Sequence, residues 1–146
     1  MTIEKVVIYI TQGEKLLVFR HSQFPEAGIQ VPAGTVRVGE NPLEAALREA
    51  CEETGLYMDE LIPYGKLGED ILQYEDDTGI SSIHRHFYQF EFIGHSSNTR
   101  LHREIDPSDG SPAPIEFELY WVRHPDETPV LAGDQGIMLA RLSLSD

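Results

Sequence analysis

The chain is predicted to fold as an α/β protein, a mixed β-sheet between helices. Three observations predict this. β-Branched and aliphatic runs open the chain, a single strongly 3.6-periodic segment spans residues 41–55, and two aromatic-rich, strand-like runs precede a closing apolar segment. At 146 residues the chain fits one domain over residues 1–146 with one core.

Residues 5–10 and 15–19 are the opening strand runs, and Gln12-Gly13-Glu14 between them predicts a β-hairpin. A short apolar segment at 29–31 follows a loop containing Pro25 and Gly28. Residues 83–93 combine aromatics with His84, His86, Gln89 and Glu91, and 115–122 has the same character, so both are expected strands. Between them, 94–114 is a polar stretch with three prolines, expected to be a long functional loop or insertion. Ile137, Leu139, Ala140 and Leu142 suggest a terminal helix over 132–142.

Composition narrows the function. Asp and Glu outnumber Lys and Arg 25 to 11, a formal charge of −14 that repels nucleic-acid backbones and favours divalent cations. Cys51 is the single cysteine, which excludes an internal disulfide and a cysteine zinc cluster and fits a reducing compartment. No run of about 18 apolar residues occurs, so the expected location is the cytoplasm, with no membrane partner.

The helix at 41–55 is encoded at both ends. Asn41 is a favoured N-cap, Pro42 suits the first helical position, Glu44 can reach back toward the cap, and Gly55 provides a left-handed stop. Leu43, Ala46, Leu47, Ala50 and Thr54 form its apolar stripe. Glu49, Glu52 and Glu53 fall within an arc of roughly 100° on another face. Like charges at these spacings repel, and a divalent cation would turn the repulsion into coordination. Magnesium suits such hard oxygen donors, with manganese as a substitute. A Glu-rich helix alone is equally a solvated face.

The residues leading into the helix decide between these readings. Gly34, Glu40 and Arg48-Glu49-Ala50-Cys51-Glu52-Glu53-Thr54-Gly55-Leu56 resemble the complete signature of the Nudix hydrolase family. Seven fixed positions match at one spacing, which chance gives on the order of 10⁻⁵. Ala50 departs from the larger aliphatic residue of the family pattern, a packing variant. The resemblance implies a Nudix-like α/β/α sandwich and a metal-dependent pyrophosphohydrolase. Glu49, Glu52 and Glu53, with the carbonyl of Gly34, would be the metal ligands, and Glu49 or Glu52 the general base. Arg48 would hold a neighbouring Glu by a two-pronged hydrogen bond, and Glu40 would orient a metal-bound water or brace the loop. A further acidic ligand is expected near a late strand, with Glu116 and Glu118 as candidates.

Outside the signature, Arg20 is a candidate phosphate contact. His84 and His86 share a strand face, but the sequence names no further ligands for the zinc site they would need. Cys51 reads as packing. The family's ADP-ribose members tend to carry a proline about fifteen residues after the signature; here that position lies near Ile71, with no proline close by. Dinucleoside polyphosphate hydrolases tend to carry a tyrosine slightly later, and Tyr74 stands eighteen residues after Leu56. Tyr74, Phe87, Tyr88 and Trp121 are candidate stacking groups for a base. The expected partner is a small nucleotide-like phosphorylated substrate, a nucleoside triphosphate or dinucleoside polyphosphate over ADP-ribose, with a homodimer as a candidate assembly. The alternative is a catalytically silent Nudix-fold nucleotide sensor. A calcium-binding interaction protein would need loop-clustered Asp and Asn, which the chain lacks.

Overall fold

The computed structural model describes residues 1–104 and 114–144. Its strands are β1 (Thr2–Gln12), β2 (Lys15–His21), β3 (Ala33–Thr35), β4 (Leu61–Asp76), β5 (Gly79–Phe92), β6 (Thr99–Glu104) and β7 (Ile115–Arg123), with one α-helix, α1 (Pro42–Thr54). They form one mixed sheet of order β4-β5-β1-β2-β7-β6, in which β3 also pairs with β1. β1 runs parallel to β5, and all other pairings are antiparallel.

β1 is central, and its run from Val6 to Ile10 is buried on both faces. Period-two alternation sends Val6, Ile8 and Ile10 toward α1, where they meet Ala45, Ala46, Ala50, Phe90 and Trp121. Val7 and Tyr9 point the other way, to Val31, Phe87, Leu131 and Met138. α1 thus covers one face and the C-terminal segment the other, the expected helix-sheet-helix sandwich. β1 pairs with β2 only at Thr11↔Leu16 and Gln12↔Lys15, beyond which β2 turns to β7. β3 takes the vacated edge, bringing Gly34 beside Val6.

Both ends of α1 are as encoded. Asn41 Oδ1 accepts from the Glu44 amide at 2.9 Å, and Gly55 closes the helix at φ 75°. The buried stripe is rotated from the expected one: Ala45 and Glu49 join Ala46, Ala50 and Thr54, while Leu43 is exposed. Turning Glu49 toward β3 carries Leu43 into solvent.

The apolar segment at 29–31 makes an isolated bridge, Phe19↔Gln30, just ahead of β3. Three further expectations are corrected. β5 starts at Gly79 and pairs along a β4 that the sequence did not suggest. β4 is a mostly exposed edge strand with register shifts around Gly65 and Gly68, so it shows no sustained apolar period. The expected loop at 94–114 contains β6, and its residues 105–113 lie outside the described ones. The expected terminal helix is a 3₁₀ segment, Ala132–Arg141, interrupted at Gly133 and Asp134, whose φ values are 60° and 55°.

Arg85 anchors that segment. It is buried on the face away from α1, forks onto Asp70 at 2.8 and 2.6 Å, and donates to the Gly133 carbonyl at 2.8 Å. Arg85→Met strands the Asp70 carboxylate, and urea unfolding is expected to show a loss of about 3–5 kcal/mol.

Candidate metal and active site

α1 lies over the β1-β3 pair, and its carboxylates take three different positions. Glu49 is almost fully buried against Gly34: a Cβ at position 34 would collide with its carboxyl carbon and both oxygens. Glycine is therefore required there for close approach, a constraint separate from its backbone conformation. Glu53, one turn on, accepts from the Ala33 amide at 2.7 Å. Glu52 is half-buried and faces Arg37 and Arg48 at the rim.

Arg48 connects helix, strand and loop. Its Nε and Nη2 fork onto Glu40 at 2.8 and 2.9 Å, and Nη2 also donates to the Thr35 carbonyl at 3.0 Å. Nη1 reaches Glu49 at 2.7 Å and Glu52 at 3.3 Å. Glu40 also accepts from the Arg37 amide, and the Arg48 fork holds its carboxyl down at about 2. Glu40 thus braces the loop between β3 and α1.

A carboxylate not anticipated from the sequence completes the group. Glu104, at the end of β6, is buried, and its oxygen lies with those of Glu49 and Glu53 within a mutual 4.8 Å. β6 reaches this position by capping α1. The Arg100 guanidinium donates to the Thr54 carbonyl, and His102 Nε2–H donates to the Glu52 carbonyl at 2.7 Å. Arg100, His102 and Glu104 alternate along one strand face, and Glu104 stands opposite Ile115, which packs in the α1 core.

Four other candidates are not brought to this group. Glu116 and Glu118 are one residue out of phase with Ile115, Phe117 and Leu119, so they lie on the face away from α1. There Glu118 pairs with Arg20, and Glu116 with Ser22 and Arg103. Arg20 shares that face and is held by Glu118. Tyr74 pairs opposite Ser81, in phase with Phe87, and faces away from α1 as well. Cys51 is half-buried against the core, and burial pushes its thiol upward, as packing requires.

A NUDIX domain family model matches residues 1–136. An RNA pyrophosphohydrolase of Caulobacter vibrioides is 31% identical over 136 residues, covering 86% of this chain and 73% of that protein. The chain belongs to the Nudix hydrolase family. Among solved structures, an Ap4A hydrolase from C. elegans is similar at TM-score 0.56 and 18% identity, covering 97% of this chain and 96% of that one. A MutT protein from Bacillus halodurans is similar at TM-score 0.57 and 20% identity, covering 98% and 84%. At such identities the two structures establish the fold alone.

Two predictions follow from the geometry. Gly34→Ala forces Glu49 off its position, so Mn²⁺ titration followed by electron paramagnetic resonance is expected to show affinity lowered by about 10–100-fold. Glu40 has its folded pKa lowered to about 2 from 4.5, so its stabilisation is present above pH 4.5 and lost as pH falls toward 2. Glu40→Gln is expected to cost about 2 kcal/mol at neutral pH, and its stability gap from the parent closes between pH 4.5 and 2.

Proposed function

We propose that the chain hydrolyses a phosphoric anhydride in a small nucleotide, with Mg²⁺ held by Glu49, Glu53 and Glu104 and approached by the backbone of Gly34. The observation that carries this reading is the group of three carboxylates gathered from α1 and β6, two of them buried. Carboxylates this close repel one another when ionised, and a hard divalent cation among them would turn that repulsion into coordination. Their all-oxygen character fits Mg²⁺, or Mn²⁺ in its place. When bound, such an ion neutralises pyrophosphate oxygens and lowers the pKa of a coordinated water.

The remaining roles fall to the protein's own groups. Glu52 lies at the rim, where water reaches it, and is the first candidate to take a proton from the nucleophile; Glu49, held by Arg48, is the second. Arg48 and Glu40 maintain the spacing between the loop and α1. The charge of −14 opposes a long polyanion, which favours nucleoside triphosphates and dinucleoside polyphosphates over an RNA chain. Tyr74, turned to the far face, lends that preference no support as a stacking group.

Product analysis should cover nucleoside triphosphates, dinucleoside polyphosphates, nucleotide sugars, ADP-ribose and a 5′-triphosphorylated RNA oligonucleotide, with Mg²⁺ or Mn²⁺. The expected result is turnover of a mononucleotide or dinucleotide, abolished by EDTA and reduced at least about 100-fold in Glu52→Gln and in Glu104→Gln. Turnover of the RNA alone would overturn the substrate assignment. Folded, metal-loaded protein that binds nucleotides without releasing product would replace the hydrolase with a sensor.

A further inference from the structure

We propose a second metal site, for a transition cation of the zinc class, built by Glu4, His84 and His86 on the β1-β5 pair. The parallel register sets Glu4 beside His84 and Val6 beside His86, so the two imidazoles and the carboxylate share the α1 face of the sheet. Glu4 Oε1 lies 2.8 Å from His86 Nε2 and 2.9 Å from His84 Nδ1. The imidazole rings are 4.2 Å apart at 46°. A tetrahedral zinc ion with bonds of about 2.0–2.1 Å needs its ligands about 3.3 Å from one another, an opening of roughly half an ångström. Central strands hold these residues in place, while Glu4 is partly open to solvent, which gives an ion and a water ligand access.

The surroundings supply what metal-bound histidines require. His84 Nε2 already meets the Glu69 carboxylate, which orients the ring so that Nδ1 faces Glu4. His86 Nδ1 has Glu69 at 3.9 Å and Lys66 Nζ at 2.9 Å. In the metal-free state the Lys66 ammonium donates to Nδ1, which leaves the proton on Nε2, pointing at Glu4. A cation at Nε2 displaces that proton to Nδ1, where Glu69 is the acceptor and Lys66 must swing away. Lys66 is therefore a competitor of the metal. Imidazole nitrogens also separate this site from the all-oxygen group under Gly34, because Mg²⁺ selects oxygen and zinc-class ions accept nitrogen.

The test uses the full chain, stripped with EDTA, dialysed and kept in excess Mg²⁺. Zn²⁺ is titrated by calorimetry, and Co²⁺ by the visible absorption that reports nitrogen ligation. The expected result is one tight site per chain, weakened at least about 100-fold in the His84→Ala/His86→Ala variant and unaffected by Glu52→Gln. Absence of Zn²⁺ uptake, or an unchanged isotherm in the double variant, overturns the proposal. Should that variant fail to fold, Lys66→Met decides. Affinity raised about tenfold supports the site, and affinity unchanged or lowered overturns it.

Discussion

One guanidinium ties α1 to β3 and to the loop between them. Arg48 touches the last residue of β3 through the Thr35 carbonyl, the following loop through Glu40, and its own helix through Glu49 and Glu52. Three carboxylates, those of Glu40, Glu49 and Glu52, share this mostly buried cation, with Arg37 a second cation near Glu52. A planar fork with several donors can serve all of them at once, whereas a lysine ammonium would offer one point charge. Without it, α1 would present mutually repelling glutamates to a loop that has lost its tie to the helix.

That arrangement works because β1 changes partners along its length. Where β2 departs for β7, the freed edge accepts β3, and Gly34 comes to lie directly beneath Glu49. A side chain at position 34 would fill the space the carboxylate occupies. The same face receives Glu104 from β6, whose Arg100 and His102 satisfy carbonyls at the C-terminal end of α1. One edge strand therefore both caps the helix and delivers a carboxylate to it.

Strand phase explains where the candidate side chains lie. A residue's face in a sheet depends on parity, and parity is set by pairing. Glu104 stands opposite Ile115 and shares its inward face; Glu116 and Glu118 are one step out of phase and bond outward to Ser22, Arg103 and Arg20. Tyr74 is displaced from the α1 face for the same reason. β4 and β6 were hard to foresee because both are edge strands with exposed, polar positions, and β4 breaks its register twice. The closing 3₁₀ segment carries apolar residues at helical spacing, but Gly133 and Asp134 adopt left-handed conformations and Arg85 takes up the Gly133 carbonyl.

By itself the sequence determined the local parts: the β1-β2 hairpin, the capped α1 between Asn41 and Gly55, and the spacing that puts Glu49, Glu52 and Glu53 on one arc downstream of Gly34. These are legible because caps, turns and helical periodicity act over a few residues. Only the tertiary structure decided that Glu104 joins Glu49 and Glu53, and that Glu4 meets His84 and His86 across β1 and β5. Those meetings join residues some 50 to 80 positions apart in the chain, through strand registers that leave no signature in either segment alone.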